Sequence, residues 1–531
     1  MAQKPQNMKL MAFKLMRQLG SESNAHGFAR IFNSRNRKRK YVWLVLVCLG
    51  FLAATVQLTN LVMKYLDYQV VEISVIKESE PIMFPAITVC NIEPISSRKL
   101  GILLEKPDSH VLQWLKFLEH FEFANQTAHY SSIVAFYENV GDEALFVRHD
   151  VNDFIVHCHF NRMPCSSTNF STTWDSNYYS CFTFNSGWNK TALLHSSGPQ
   201  HGLSLVISLE NKRPLLGLYG VYDINSNIRY SAGTRVVIHA PATMPSPVDQ
   251  GFDVPPGFSS SVGLKIVHHT RLPQPYGNCS DGELIGTRRY RNSFFACLQI
   301  CKQNEVMRKC RCKSASLPQV RYAQLSFCGT VPHWRKRLKY KEMYSRRIHN
   351  PALACEMRVR DRMAQDRSYE ATCRCYQPCH ETLYLRSISL SYWPLEFYQL
   401  DALKVMYGDR INYHFLNDTF QSLSDVMNKT NHTLTNKKPS IKQRIKVERA
   451  SDLIRQNLLR LNVYLEDLSI VEFRQLPAYE LMDLLAKIGG TLGLWMGVSI
   501  LTIMEFIELV MCLVVMVFTS KWSARNADSN V

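Results

Sequence analysis

The sequence predicts a membrane protein with two transmembrane helices and a large, disulfide-rich extracellular domain that combines α-helices with β-strands. Two apolar stretches, one near each end of the 531-residue chain, are long enough to cross a bilayer. Lysine and arginine are concentrated before the first stretch, and fourteen of the sixteen cysteines lie between the two stretches. The mean hydropathy of −0.16 indicates that most of the chain lies outside the membrane.

The first predicted span covers residues 41–63 (YVWLVLVCLGFLAATVQLTNLVM), which contain no charged side chain and match the roughly 20 helical residues that a bilayer core needs. Residues 1–40 contain ten lysines and arginines and a single acid, Glu22. Such an excess of basic residues marks the cytoplasmic side of a span. We therefore expect residues 1–40 and the tail at 520–531 in the cytoplasm, and residues 64–478 outside. This local excess accounts for half of the net charge of +18, so the charge gives no reason to expect a nucleic-acid partner.

The predicted outside segment contains the features of an oxidising, glycosylating compartment. Its fourteen cysteines are even in number and lack paired CxxC spacing, which favours disulfides over zinc sites. A metal cluster at His157, Cys158 and His159 is a second alternative. Spacing alone does not give the disulfide connectivity. All seven Asn-x-Ser/Thr sequons, the candidate glycosylation sites, also fall in this segment, at Asn125, Asn169, Asn189, Asn278, Asn417, Asn428 and Asn431.

Between the spans, the pattern of apolar residues changes from strand to helix and back. Residues 70–96 alternate apolar and β-branched positions and predict a strand that leaves the membrane. Residues 108–160 have helical spacing and are rich in aromatic and acidic side chains. The stretches GLSLVISLE and TRVVIHA predict strands, and so does NLLRLNVYLEDLSIVEFRQL, which leads directly into the second span. This mixture predicts an α+β extracellular domain.

The second predicted span, within residues 479–519, is almost twice as long as one straight crossing requires. We expect an interruption at Gly497, Val498 and Ser499, because glycine tolerates non-helical backbone. Carbonyl groups freed by such a break are tolerated in a membrane only where they face water or protein, which is how a pore is built.

Small residues recur every four positions around this interruption, at Gly489, Gly493 and Gly497. They form one face on which helices can approach closely, while Glu505 and Glu508 place carboxylates at membrane depth. The alternative is a helix-packing seam of the GxxxG type with two incidental acids.

Several motifs together resemble the degenerin/epithelial sodium channel family. They are the cytoplasmic pair His26-Gly27, FPAITVCN after the first span, LPQPYGNC, the CxxxC and CxCxxxC pairs, and GGTLGLWMGVSILTIMEFIE. The stretches VVEISVIKES, FFACLQICKQ and LSYWPLEFYQL are similar to the FMRFamide-gated members of molluscs and annelids. The resemblance covers nearly the whole chain. It implies a homotrimer in the plasma membrane, a sodium-selective pore blocked by amiloride, and an outer domain of palm, β-ball, knuckle, finger (about 108–160) and thumb (about 279–379).

The resemblance also assigns roles to individual residues. Gly497, Val498 and Ser499 would form the selectivity filter, and His26 and Gly27 a re-entrant segment beneath it. Lys487 departs from the acid of many relatives, and a ring of cations there would repel sodium unless the side chains turn away from the axis. The pore and gate would be lined by Ala486, Lys487, Gly490, Gly493, Leu494 and Glu505. The implied disulfides are Cys90–Cys181, Cys158–Cys165, Cys279–Cys379, Cys297–Cys375, Cys301–Cys373, Cys310–Cys355 and Cys312–Cys328.

A peptide of the FMRFamide type is cationic and aromatic, so its site should offer aromatic surfaces and carboxylates. The predicted finger supplies both. The alternative is that these aromatics form the core and these acids a solvated face. The candidate peptide-binding residues are Trp114, Phe117, Phe121, Phe136, Tyr137, Glu138, Asp150, Asp153 and Phe154.

The sequence thus predicts a trimeric sodium channel gated by an amidated neuropeptide, with sodium as permeant ion, lipid and two identical subunits as partners, and neither a cofactor nor a metal. A proton-gated channel of the same family and a non-conducting two-span receptor are the alternatives. An ectoenzyme is not supported, because the outside segment contains no nucleophile elbow, HExxH or phosphate loop.

Overall fold

The structure is a computed structural model, and it divides the chain into two compact units. The terminal unit comprises Met1–Ile73 and Gln475–Val531, and the central unit comprises Ser74–Arg474. The residues that the structure describes are 25–78, 81–123, 126–130, 132–188, 191–211, 231–281, 290–291, 293–319, 324–408, 416–417, 419–421, 423–425 and 441–528.

Helices occur in both units. Short 3₁₀ turns at Ser167–Asn169, Lys341–Met343 and Glu396–Tyr398 connect some of them. The α-helices are α1 Phe28–Asn33, α2 Arg37–Leu66, α3 Ser97–Leu104, α4 His110–His120, α5 Thr127–Tyr130, α6 Ile133–Val140, α7 Asp142–Phe146, α8 Val151–Phe154, α9 Pro247–Gln250, α10 Phe294–Cys310, α11 Trp334–Lys339, α12 Pro351–Gln365, α13 Arg367–Thr372, α14 Gln399–Tyr407, α15 Ile441–Asn457, α16 Leu481–Met496 and α17 Ile500–Asp528.

Strands build the frame of the central unit, and the predicted strands GLSLVISLE and TRVVIHA are confirmed as two of them. The strands are β1 Val70–Glu78, β2 Ile82–Met83, β3 Ala86–Asn91, β4 Glu122–Phe123, β5 Ile155–Phe160, β6 Met163–Pro164, β7 Phe170–Asp175, β8 Tyr179–Phe184, β9 Leu193–Leu194, β10 Leu203–Ser208, β11 Thr234–His239, β12 Phe252–Val254, β13 Phe258–Thr270, β14 Arg347–Ile348, β15 His380–Tyr392 and β16 Leu458–Pro477.

In the terminal unit, α2 is long and apolar enough to cross a membrane. It begins four residues earlier than the predicted span, because the Asn36 side chain accepts a hydrogen bond from the backbone N–H of Lys38 at 3.1 Å and caps the helix. Helices α16 and α17 meet the same criterion only as a pair, as one broken span bent by 77°. The described residues thus contain one clear apolar helix and one broken candidate.

Two sheets form the frame of the central unit. The seven-stranded sheet has the order β15-β13-β16-β10-β5-β6, with β1 paired to β16, and the five-stranded sheet has the order β12-β11-β3-β8-β7. Along β16, Leu459, Leu461 and Val463 are buried while Arg460 and Asn462 point the other way, as the two-residue period of a strand requires. Apolar residues of β10, β16, β3 and β8 share one buried cluster, which joins the two sheets.

A second buried cluster is helical. It unites α3 to α7 with Trp334 of α11, and its aromatic rings pack directly, with ring centroids of Trp114 and Trp334 at 5.1 Å. The helices end at Phe154 and the chain then enters β5 of the large sheet, so residues 155–160 of the predicted finger lie in a strand.

Seven disulfides are present in the central unit, with the same pairing that the resemblance implies. Two of them join consecutive turns of α10 to a short segment after α13. Cys48 and Cys512 are unpaired and exposed on helices of the terminal unit. The pairs are Cys90–Cys181, Cys158–Cys165, Cys279–Cys379, Cys297–Cys375, Cys301–Cys373, Cys310–Cys355 and Cys312–Cys328.

Candidate functional site

The break between α16 and α17 lies at the three predicted filter residues. Gly497 has φ of 63° and ψ of 22°, the left-handed conformation that ends a helix and that glycine adopts without steric cost. Its N–H donates to the carbonyl of Gly493 at 3.0 Å and closes the last turn of α16. Val498 follows outside either helix.

Ser499 starts the second half of the broken span. Its Oγ accepts from the backbone N–H of Thr502 at 3.3 Å, and the Thr502 hydroxyl accepts in turn from the N–H of Ser499, also at 3.3 Å. This reciprocal pair caps the first turn of α17. The motif therefore combines a glycine that stops one helix with a serine that starts the next.

The pair His26-Gly27 packs against this break. The N–H of His26 donates to the carbonyl of Met496 at 2.8 Å, which satisfies one of the carbonyl groups left open at the end of α16. A Cβ atom on Gly497 would lie 2.6 Å from the His26 ring. Gly27 has φ of 83°, and a Cβ there would lie 2.6 Å from Val47 of α2. At both positions a larger residue would clash with a neighbouring side chain and would also strain the backbone, so both positions favour glycine.

One face of α16 has no neighbour among the residues that the structure describes. Ala486, Gly490 and Leu494 are exposed, Leu494 to 74%. A Cβ on Gly490 or Gly493 would meet nothing within 4 Å in the part of the chain that the structure describes. The opposite side packs on α2, where the indole N–H of Trp495 donates to Gln57 at 2.8 Å. Glu505 is half-buried on α17.

Lys487 turns toward the start of its own helix. Its Nζ lies 4.1 Å from the ring centroid of Tyr479, just before α16 begins, in a cation–π contact. Long helical side chains point toward the helix N-terminus, which explains this direction. The side chain is therefore held along the helix by Tyr479.

Most of the predicted peptide-binding aromatics are buried in the interior. They therefore do not form the open stacking surface that the sequence led us to expect. Trp114, Phe117 and Phe136 are exposed to 1%, 0% and 1%, and Phe121 to 3%. They form the helical cluster because rings at helical spacing bury one apolar face. Phe154, at 0% exposure, belongs instead to the core between the sheets.

Glu138 is also interior. Its Oε2 lies 2.9 Å from Nε2 of His129, and its Oε1 has no hydrogen-bond partner among the described residues. Burial raises the pKa of the Glu138 carboxyl in spite of the histidine. It is therefore a buried polar pair rather than a surface carboxylate.

The two aspartates of the hypothesis are at the surface but already face basic side chains. Lys99 Nζ lies 2.5 Å from Asp150, and Arg98 forms an ion pair with Asp153. Both aspartate side chains keep substantial exposure, 57% and 40%. A cationic ligand would have to displace these local partners.

The sequence analysis missed a cavity of about 600 Å³ in the central unit. It is lined by residues of α5 and α6, by Trp174 and Asp175 of β7, and by Asp249 of α9. The indole N–H of Trp174 is buried with no hydrogen-bond partner in the described chain. Tyr137, the half-buried aromatic of the hypothesis, packs against the Trp174 ring at a tilt of 37°, with ring centroids 5.2 Å apart.

Two carboxylates line this cavity beside the aromatic rings, together with Arg360, which forms an ion pair with Glu356 at 3.5 Å. Asp175 accepts hydrogen bonds from the backbone N–H groups of Asn177 and Tyr178, while burial raises its pKa. Asp249 is exposed and accepts from the Ser246 hydroxyl at 2.7 Å. No local motif marks this cavity, because its lining comes from distant parts of the sequence.

Predicted glycosylation sites are partly described. Asn169 and Asn278 are exposed, and Asn417 is half-buried. Asn125, Asn189, Asn428 and Asn431 lie outside the described residues.

An apolar helix, a candidate span broken at glycine and a disulfide-rich domain are features that a membrane ion channel would combine. The family model described as "Amiloride-sensitive sodium channel" matches residues 19–509, and the chain belongs to that family. Members of this family are ion channels of the plasma membrane.

Two relatives give the range of similarity. The chain is 49% identical over 535 residues to the FMRFamide-activated amiloride-sensitive sodium channel of Cornu aspersum, covering 96% of this chain and 85% of the relative. It is 24% identical over 515 residues to acid-sensing ion channel 2 of Homo sapiens, covering 92% and 84%.

Proposed function

We propose that the protein is a peptide-gated, amiloride-sensitive, sodium-selective channel that opens to an amidated peptide of the FMRFamide type. The observation that supports a pore is the break between α16 and α17, where Gly497 ends one helix and Ser499 caps the next. The identity to the peptide-activated relative supports the ligand class.

The channel assembles from three identical chains around the exposed face of α16. Ala486, Gly490 and Gly493 lie on that face without a neighbour in the described chain, and small residues permit close helix approach. Gly497, Val498 and Ser499 form the narrowest ring, and backbone and hydroxyl oxygens there replace water around sodium. Leu494 and Glu505 line the pore on either side of that ring.

Both termini are cytoplasmic in this proposal, and His26-Gly27 re-enters beneath the filter. The hydrogen bond from His26 to Met496 supports this placement. Lys487 leaves the pore axis because Tyr479 holds its ammonium group, so a ring of three lysines need not repel sodium.

The peptide enters the cavity lined by Trp174, Asp175 and Asp249. It offers what a cationic, aromatic peptide needs: an indole face, a free indole N–H and an exposed carboxylate that has no basic partner among the described residues. Asp150 and Asp153 are the weaker candidates because Lys99 and Arg98 already neutralise them.

Current recorded from cells that express this chain alone tests the function. An amidated FMRFamide peptide at neutral pH should evoke an inward sodium current that amiloride blocks, and the same peptide with a free carboxyl end is the control. Asp249→Asn should raise the half-maximal peptide concentration more than about threefold at unchanged surface expression, and Asp153→Asn should not. Current evoked by acid but not by peptide would instead favour the proton-gated alternative.

A further inference from the structure

A second cavity, of about 810 Å³, lies on the outer face of the large sheet in the central unit. Its floor is built by strand pairing. His157 of β5 and Arg460 of β16 both pair with Val206 of β10, and His159 and Asn462 both pair with Ser204. Paired residues of adjacent strands point to the same face, so the two rows lie side by side.

The chemistry of this floor follows from the period of the strands. Cys158, between the two histidines, faces the core and is buried, which turns His157 and His159 outward together. Their ring centroids lie 4.5 Å apart. Two imidazoles and a guanidinium thus meet on one patch.

Burial and the neighbouring His159 and Arg460 lower the pKa of His157, so the positive charge of the lining comes from its two arginines. Arg460 is exposed and forms no ion pair within the described ranges of the chain. Arg162 donates to the neutral amide oxygen of Gln200 at 2.5 Å, so its charge is not neutralised. Asp401 is the single carboxylate among the described lining residues. The lining is therefore net positive.

The wall opposite the floor is apolar. Trp393, Tyr398 and Val405 line it from the segment that leads into and through α14, and Tyr398 is exposed to 64% and Val405 to 75%. The cavity volume lies within the range of about 300–1,000 Å³ that is usual for ligand pockets. A cationic floor beside an aromatic wall suits a molecule with an anionic head and an apolar body.

We propose that this cavity binds an amphipathic organic anion, a carboxylate on an aromatic or aliphatic body, at a site separate from that of the peptide. The planar guanidinium of Arg460 binds the carboxylate through two hydrogen bonds, and His157 and His159 face the same head group. The apolar body lies against Trp393 and Tyr398. A cationic amidated peptide is repelled by the same lining, so the two ligands do not compete for this cavity.

A metal ion fits less well. Two imidazoles supply half of a tetrahedral zinc site, and the described residues contain no cluster of three or more metal-binding side chains. An anionic head uses both arginines as well as the histidines, which a metal ion would not.

The test measures binding of 1-naphthaleneacetate to the purified full-length channel by thermal stabilisation, a readout that does not depend on current. The nearly isosteric, uncharged 1-naphthaleneacetamide is the ligand control. Saturable stabilisation by the carboxylate, at least about tenfold tighter than by the amide, is expected. Equal binding of the two compounds, or no binding of the carboxylate, would overturn the proposal.

Three variants locate the site. Arg460→Gln should weaken binding of the carboxylate at least about tenfold, and Asp401→Asn should strengthen it about threefold because it removes the opposing charge. Lys404→Gln, on the same helix as Asp401 but outside the cavity lining, is the matched control and should change nothing. If Arg460→Gln does not fold, Arg460→Lys is the second variant. It keeps the charge but lacks the planar guanidinium, so it should still weaken binding of the carboxylate about threefold.

Two results would contradict the site. Unchanged affinity in the folded arginine variant and in Asp401→Asn would place the anion elsewhere. Stabilisation by zinc chloride that His157→Gln abolishes, without any effect of the carboxylate, would make the cavity a metal site.

Discussion

At the scale of single residues, the contact between Gly497 and His26 joins the predicted filter to the segment before the first apolar helix. Gly497→Ala would force a Cβ to within 2.6 Å of the His26 ring and place a side chain in left-handed backbone, which costs about 1–2 kcal/mol. We expect this variant to lose most of its peptide-evoked current or to change its preference for sodium over potassium.

A second substitution at His26 tests for rescue of this variant, and a substitution at Gly489 is the control. Adding His26→Ala removes the clash but not the backbone strain, so it should restore part of the current. Gly489→Ala, where a Cβ meets nothing within 4 Å of the described atoms, should behave as the wild type. Unaltered selectivity and current in Gly497→Ala would show that the channel does not need this contact.

Glu472 gives a pH-dependent prediction. Its pKa is lowered to about 2 from an ordinary value of 4.5, first by the hydrogen bond from Lys77 and then by the one from Arg474. A carboxylate with a lowered folded pKa stabilises the fold above its unfolded pKa and loses this contribution as pH falls through its folded pKa. The group stays charged in mildly acidic solution.

We therefore expect Glu472→Gln to lower the Tm by a constant few degrees from about pH 8 to pH 5, with the difference vanishing between about pH 4.5 and pH 2. Glu466→Gln, on the same strand and 3.7 Å from Lys265, is the control and should have a smaller effect. A difference that already disappears near pH 6 would mean that Glu472 titrates there, as an acid sensor would.

Residue roles could be predicted from the sequence only where the local backbone determines them. The glycine at 497 and the serine at 499 are such cases, because a left-handed helix end and a helix cap depend on residue type. The burial of Trp114 and Phe117 could not be predicted, because helical spacing of aromatics is the same for a core and for a binding face. The contact of His26 with the break joins residues some 470 positions apart, and no local pattern contains it.

At the scale of elements, the proposed gate lies on the exposed face of α16. If three copies close by bringing Ala486 together, a large side chain there should hold them apart. We expect Ala486→Trp to produce current that persists after the peptide is washed away. Leu46→Trp, at an exposed position of α2, controls for a large ring in the lipid-facing part of a span. Complete closure of Ala486→Trp would contradict this gate.

The two disulfides on α10 support each other. When the Cys301–Cys373 disulfide is present, the Cys297–Cys375 disulfide closes a loop of only a few residues. Removing Cys297–Cys375 alone should therefore lower the free energy of unfolding by about 2.5 kcal/mol. Removing both opens a much longer loop, so the joint loss should exceed twice the loss from either. Thermal unfolding of the purified Cys→Ser variants measures this, with Cys158–Cys165, a seven-residue separation, as the short-loop reference. Simple additivity would contradict the mutual support.

Strand prediction succeeded where one face of the strand is buried. The alternation in β16 and in β10 is visible in the sequence because the outer residues, such as Arg460 and Ser204, are polar. The basic segment after residue 335 is different: its charged side chains are typical of a solvated loop, yet α12 forms there and buries Leu353 and Met363. Its apolar positions are too sparse to reveal a helix held by disulfides.

At the scale of the whole molecule, the number of subunits can be counted through the filter. If one subunit with a defective filter silences a channel, equal co-expression of wild-type and Gly497→Trp chains should leave about one eighth of the current for three subunits. Co-expression with Gly489→Ala, at matched surface levels, is the control. About one quarter or one sixteenth of the current would instead indicate two or four subunits.

The order of strands in the large sheet has a consequence for how the protein is made. β16 lies between β13 and β10, and its residues pair with strands encoded some 200 and 250 positions earlier. Until β16 is synthesised, β10 and β13 each have an unpaired edge, which is a site for wrong pairing between chains. β16 directly precedes α16, the first half of the broken candidate span, so the sheet can be completed only when most of the chain has been synthesised. A secretory pathway that retains chains with open sheet edges would thereby also retain every chain that ends before β16.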